Sequence, residues 1–298
     1  MLPVSLRADV TAYVLQKTAR WTARYGRTLQ LDGTELPAPR RVRVPTRHGS
    51  VGCLVYRPAR PTTPLPCYVH LHGGAFMLRH PVMDDFLGRF VATRCEATVV
   101  LPDFAAAPQV RYPVAHEQTH DVAAWIATTG TEVGVDGRRV AVGGFSSGGN
   151  LAAATALRAR DEGSFAPVLQ VLGVPALDVA EDVSRKTSPL LNPTVTPELL
   201  TLVRSTYFRD ATRRVEPYAS PLRAPDLTGV ADALVLTAEY DVLRREGDAY
   251  AARLSESGVD VLHHVVGGRD HYFLDGNDPA RAHATLRVVT DRLRAAFA

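Results

Sequence analysis

Val140-Ala141-Val142-Gly143-Gly144-Phe145-Ser146-Ser147-Gly148-Gly149-Asn150-Leu151 is the stretch on which the reading of this chain turns. An apolar, β-branched run opens it, and Ala152-Ala153-Ala154 carries its far end into a helical pattern. A strand that passes into a helix through Gly144-x-Ser146-x-Gly148 presents its serine on a strained turn at the carboxyl end of the strand. Glycines two residues to either side let the strand and helix approach closely. The helix aims its N-terminus at the same spot, where negative charge is favoured. The spacing therefore points to Ser146 as a nucleophile, supported by Gly144 and Gly148. A phosphate-binding glycine turn is the competing reading, but no Lys follows the glycines and GxGxxG spacing is absent.

Working outward, short β-branched runs alternate with Ala/Leu/Arg-rich helical stretches. Arg41–Val44 and Val51–Arg57 read as a hairpin turned at His48-Gly49-Ser50. Further strands are expected at Cys67–Leu71, Ala97–Leu101, Arg139–Val142, Val168–Val174, Ala233–Thr237 and Val259–Val266. Helices are expected at Asp84–Arg94, His116–Thr128, Gly148–Arg160, Arg244–Ser257 and Pro279–Phe297. This alternation implies an α/β fold with a mostly parallel central sheet flanked by helices. Two segments fall outside it: residues 1–38, a helix and a turn-rich connector, and residues 176–229, with one amphipathic helix at Pro197–Tyr207. So long an excursion between sheet strands reads as a cap over a site. The core is then 39–175 together with 230–298.

A serine nucleophile needs oxyanion donors, a base and an orienting carboxylate. Tyr68-Val69-His70-Leu71-His72-Gly73-Gly74-Ala75-Phe76 runs a strand into side-chain-free residues. Backbone N–H groups of Gly73 and Gly74 are the expected donors, with Ser147 as the third and His72 as part of the motif. Where such a serine turn lies in an open sheet, the chain order is Ser, then Asp or Glu, then His. Glu239 and Asp241 follow one strand and His271 follows the next. Loops at the carboxyl ends of adjacent strands converge at the switch point of such a sheet. Asp241 lies past its strand and is the first choice, with Glu239 second; His263 and His264 sit within a strand and read as packing or surface residues.

Two metal readings compete. His116-Glu117-Gln118-Thr119-His120 is a literal HExxH, with both histidines on one helical face. The extended form fails, since Ala123 stands at the Gly position and no third His follows. His70 and His72 share a strand face, but Gly73-Gly74-Ala75 stand where further ligands belong. No metal or cofactor is expected.

The chain has 298 residues, enough at ~150 per domain for one large domain or two small ones. Its 46% hydrophobic and 22% charged residues exclude disorder and collagen-like repetition. Lys+Arg 34 against Asp+Glu 31 leaves +3, too little for a nucleic-acid partner, and the basic residues are scattered arginines apart from Lys17 and Lys186. Cys53, Cys67 and Cys95 show no CxxC spacing, which fits a reducing, cytoplasmic setting. Met1–Gly26 carries charges among its apolar residues, unlike a signal peptide, and no run reaches the ~18 apolar residues of a membrane span.

Taken together, these motifs resemble the hormone-sensitive-lipase-like family of α/β-hydrolase carboxylesterases over about residues 40–297. His72–Phe76 is similar to its HGGG-type motif, Pro102–Gln109 to its DYRLAPE stretch and Ser220-Pro221-Leu222 to its SPL. Tyr240–Gly247 is similar to its YDPLRDEG segment, and Gly268–Phe273 to its G-x-x-HGF ending. Departures stand at Phe145, Ala75, Ala105, Val242 and Tyr272. The resemblance implies an α/β-hydrolase fold with a helical cap. It also implies a Ser146–His271–Asp241 triad acting on short- to medium-chain acyl esters. An N-acyl amide hydrolase with the same triad is the alternative. A non-catalytic small-molecule-binding protein of this fold is the reading from another class, and the presence of both Ser146 and His271 argues against it. A homodimer is left open.

Overall fold

The structure, a computed structural model, describes residues 4–22, 27–59 and 64–298. Its strands are β1 (Arg40–Thr46), β2 (Gly49–Tyr56), β3 (Leu65–Leu71), β4 (Thr98–Pro102), β5 (Val135–Phe145), β6 (Leu169–Gly173), β7 (Ala233–Ala238) and β8 (Val261–Val266). Its α-helices are α1 (Val4–Thr22), α2 (Asp85–Cys95), α3 (Val114–Thr129), α4 (Ser147–Glu162), α5 (Pro197–Thr206), α6 (Arg244–Glu256) and α7 (Pro279–Phe297). Residues 1–3 and 23–26 of the expected N-terminal segment lie outside the described residues.

All eight strands join one sheet in the order β1-β2-β4-β3-β5-β6-β7-β8. β1 and β2 run antiparallel to their neighbours, and the rest are parallel. β3, β4, β6 and β7 are buried along their whole length, as parallel strands covered on both faces must be. Successive side chains enter opposite cores. Val69, Val100, Val142 and Val235 pack with Val122 of α3, Leu151 of α4 and Leu254 of α6. Tyr68, Val99, Ala141 and Leu234 pack with Phe90 of α2 and Leu286 of α7. The result is the mostly parallel sheet with helices on both faces expected from the alternation.

Element boundaries fall within two residues of the sequence reading except in β5, which runs Val135–Phe145 where Arg139–Val142 is expected. β5 starts at Val135, not Arg139, because Val135 pairs with Leu65 of β3 ahead of the apparent turn, in which Arg138 N donates to Asp136 Oδ1 at 3.1 Å. The β3–β5 register shifts between Leu65 and Cys67 at this point. The hairpin pairs as far as Thr46 and Gly49, and Gly49, at φ 88°, takes the left-handed turn position. Three helix starts match the reading without offset, Pro197, Arg244 and Pro279, and at two of them Pro at the first helical position follows a capping side chain. Thr196 caps α5 by accepting from Leu199 N at 3.2 Å, and Asp278 caps α7 by accepting from Arg281 N at 3.2 Å.

Between β6 and β7 the chain leaves the sheet and α5 packs against α1. Asp9 of α1 ties this contact by pairing with Arg111 at 2.9 Å and Arg209 at 2.9 Å.

The close approach of β3, β5 and α4 can be tested directly. A Cβ on Gly148 would stand 1.9 Å from Leu71 O, a backbone atom with nowhere to go. We expect Gly148→Ala to lose about 4 kcal/mol or more in urea unfolding. Gly52→Ala, whose Cβ meets nothing within 4 Å, should unfold within about 1 kcal/mol of wild type.

Candidate active site

Ser146 follows β5 with φ 58° and ψ −119°, a conformation that costs a non-glycine residue about 1–3 kcal/mol. Its backbone is held on both sides: Ser146 N donates to Gly173 O at 2.8 Å, and Asn150 N donates to Ser146 O at 3.1 Å. The side chain is half-buried and faces a cavity of about 720 Å³. That volume lies within the ~300–1,000 Å³ of small-molecule sites.

The loops after β7 and β8 meet at this edge. His271 Nδ1 lies 2.8 Å from Asp241 Oδ2, and His271 Nε2 lies 2.8 Å from Ser146 Oγ. A carboxylate only accepts, so Nδ1 carries the proton and Nε2 is left to accept from the hydroxyl. Asp241 and His271 are both buried, and Leu243 N donates to the other Asp241 oxygen at 3.0 Å. Glu239, the second choice, turns away and accepts from Gly268 N at 2.6 Å. His263 lies 3.0 Å from Thr237 Oγ1 and 3.1 Å from Asp248, away from Ser146.

Gly73 approaches the elbow so closely that a Cβ there would lie 3.2 Å from Phe145 O and 3.5 Å from Ser146 Cβ. The N–H groups of Gly73, Gly74 and Ser147 donate to no other group among the described residues. His72 Nδ1 donates to Gly73 O at 2.7 Å, while its ring stacks on Phe104 at 4.5 Å. Burial pushes the His72 pKa down, so the ring is neutral. Because C=O and N–H of a trans peptide point in opposite directions, holding Gly73 O aims Gly74 N–H the other way. Ala75 and Phe76 continue the loop at φ 55° and 58°, so Ala75 occupies a left-handed position that suits glycine.

The histidines of the metal readings are committed elsewhere. Tyr207 OH accepts from Ala115 N at 3.1 Å and so donates to His116 Nδ1 at 3.0 Å. His116 Nε2–H then donates to Asn150 Oδ1 at 2.8 Å. Desolvation pushes His116 down to about 3. His120 pairs with Ser164 Oγ at 2.9 Å, and Glu117 pairs with His48 at 2.5 Å. His70 lies between Tyr68 OH at 3.1 Å and Asp84 at 3.0 Å. Among the described residues no three His, Cys, Asp or Glu side chains gather as a metal site.

Sequence reasoning gave no role to three residues that build this edge. Asn150 also donates to Ala176 O at 2.6 Å and Ala219 O at 3.0 Å, which ties α4 to two distant points of the excursion. Glu246 of α6 accepts from Leu177 N at 2.7 Å and pairs with the buried Lys186 at 2.5 Å. The available signal was the acid inside the Tyr240–Gly247 motif and the rarity of lysine.

A parallel sheet with a hydroxyl, imidazole and carboxylate linked at its carboxyl edge defines the class of α/β hydrolases. The family model described as alpha/beta hydrolase fold matches residues 68–275. An arylesterase of Saccharolobus solfataricus is 38% identical over 209 residues, covering 69% of this chain and 67% of the relative. The carboxylic ester hydrolase LipN of Mycobacterium tuberculosis is 33% identical over 275 residues, 90% of this chain and 71% of LipN. A solved esterase of Pyrobaculum calidifontis superposes with a TM-score of 0.82 at 33% identity, covering 99% of this chain and 93% of that one. A bacterial heroin esterase superposes with a TM-score of 0.85 at 27% identity, covering 99% and 92%. The chain belongs to the α/β-hydrolase family, in its hormone-sensitive-lipase-like branch, and is a serine carboxylesterase. Among the described residues no helix is long and apolar enough to cross a membrane.

The hydrogen-bond roles of His116 separate the structural from the metal reading. We expect His116→Ala to lower unfolding stability by about 2–4 kcal/mol, since it orphans Asn150 and Tyr207 inside the core. Wild-type protein treated with a chelator should melt at the untreated midpoint; a chelator-induced drop would restore the metal reading.

Proposed function

We propose that Ser146, His271 and Asp241 carry the ester hydrolysis as nucleophile, base and orienting acid. The observation that supports this is the continuous relay, Asp241 to His271 at 2.8 Å and His271 to Ser146 at 2.8 Å, opening onto the largely apolar cavity. Ser146 Oγ attacks the acyl carbonyl and forms the Oγ–C bond, while His271 Nε2 takes the hydroxyl proton. The carbonyl electrons move to oxygen, where the N–H groups of Gly73, Gly74 and Ser147 stabilise the charge. The tetrahedral species collapses, the C–O bond to the alcohol breaks, and the imidazolium returns its proton to the leaving oxygen. Water repeats the sequence to release the acid and free Ser146. Asp241 stays ionised throughout and stabilises the imidazolium.

The substrates proposed are short- to medium-chain acyl esters. The support is the cavity's size and its aliphatic lining from Val195, Leu199, Leu200 and Val203. Residues 1–38 and 176–229 act as the cap in this reading, because Leu15 of α1 and the α5 residues line the same cavity as Ser146.

The test is hydrolysis of p-nitrophenyl butyrate. We expect Ser146→Ala and His271→Ala to fall to the background of the assay, and Asp241→Asn to lose about 10⁴ in kcat, as in other triads where the wrong tautomer results. A fluorophosphonate should label wild type at Ser146 and leave Ser146→Ala unlabelled. Activity that persists in Ser146→Ala would refute the assignment.

A further inference from the structure

We propose that Tyr272 is a specificity-determining residue that stacks against the alcohol portion of the ester, so that the site favours esters of aromatic alcohols. The inference rests on the preceding reading of His271 as the group that protonates the leaving oxygen.

That role fixes where the alcohol lies. A proton can pass only if the leaving oxygen is within hydrogen-bond reach of His271 Nε2. Whatever is attached to that oxygen therefore begins beside the imidazole. Tyr272 is the next residue in the chain. Its ring centroid lies 6.2 Å from the His271 ring, inclined at 62°. It lines the same cavity as Ser146 and is 63% exposed. Aromatic pairs form at centroid separations of ~4.5–7 Å, the spacing at which Tyr272 would hold a ring attached to that oxygen.

The other aromatic side chains that line the cavity are already committed. Phe76 stacks on Tyr207 at 5.1 Å and is 3% exposed. Phe145, 5% exposed, meets His70 edge-on at 4.9 Å and Phe273 at 5.2 Å. Phe273 is 4% exposed. Among the described lining residues, Tyr272 is thus the aromatic side chain with most of its surface still open. The α5 wall, with Leu199, Leu200 and Val203, is aliphatic and offers an acyl chain contact area but no ring. The two halves of an ester would meet chemically different surfaces.

The experiment uses acetates that differ in the ring alone: benzyl acetate against cyclohexylmethyl acetate, with ethyl acetate as the baseline. All three give the same acetyl-enzyme, so deacylation is common and kcat/KM isolates steps through acylation. We expect Tyr272→Leu to lower kcat/KM for benzyl acetate by about 2- to 12-fold, the range one aromatic pair confers. Cyclohexylmethyl and ethyl acetates should stay within twofold, and Tyr272→Phe should match wild type on all three. Moving the ring to the acid side, methyl phenylacetate against methyl cyclohexylacetate, should make Tyr272→Leu indifferent to aromaticity. An equal fall on every acetate would make Tyr272 a mere support for His271 and overturn the proposal. So would an unchanged benzyl-to-cyclohexylmethyl ratio, or a loss that follows the acid-side ring. Failure of the triad reading appears elsewhere, as hydrolysis of ethyl acetate by Ser146→Ala.

Discussion

The backbone of Ser146 is the constraint around which this molecule is arranged. A serine at φ 58° is unfavourable by about 1–3 kcal/mol and persists only where its surroundings over-determine it. β5 lies between β3 and β6, with Leu71 opposite Gly144 and Gly173 opposite Phe145. α4 begins at once and passes so near Leu71 O that only glycine fits at position 148. The turn cannot relax without separating strand from helix, and that would open a core in which Ser147 through Ala159 are all buried. Large-scale burial thus holds a small local strain in place.

The second requirement is that loops distant in sequence reach this turn. Parallel strands bring their carboxyl ends to one edge, so the loops after β7 and β8 arrive there without further design. The excursion between β6 and β7 is tied to the same edge by buried polar contacts. Asn150 joins His116 to the carbonyls of Ala176 and Ala219, and Ser220 Oγ accepts from Val179 N at 3.0 Å and donates to Arg214 O at 2.7 Å. Glu246 holds Leu177 N and Asp178 N while it pairs with Lys186. Each partner lost from such a network leaves a buried group unsatisfied, so these contacts specify one arrangement of the excursion relative to the sheet.

Much of this was legible because the signals were local. The passage of β5 into α4 is written in consecutive residues, and Pro197 and Pro279 mark their helices at the first position. Strands covered on both faces read as unbroken apolar runs. The start of β5 was hidden because Asp136, Arg138 and Arg139 have the composition of a turn, and the pairing of Val135 with Leu65 across a register shift is a contact distant in sequence. The sequence separates Glu239 from Asp241 only by distance past the strand, and the direction that turns Glu239 toward Gly268 N is a loop property with no local code. The His116–His120 spacing does place both rings on one helix face. What they face is decided by Tyr207, Asn150 and Ser164, which lie 34 to 91 residues away. A spacing motif reports a geometry, while the partners that absorb it belong to the tertiary fold.

The arrangement also bears on how the proposed reaction would be accelerated. Donors aimed at a developing charge are most effective when they need not reorganise as the charge appears. Here Ser147 N–H belongs to the first turn of a buried helix, and Gly74 N–H is oriented by a peptide whose carbonyl is held by the neutral His72 ring. A charged imidazole at position 72 would put a second positive centre beside the loop and would need a solvent or anionic partner that the Phe104 stack does not provide. The Nδ1–H bond to Gly73 O orients the peptide in either protonation state, and burial, by keeping the ring neutral, leaves the backbone dipoles as the field that meets the oxyanion.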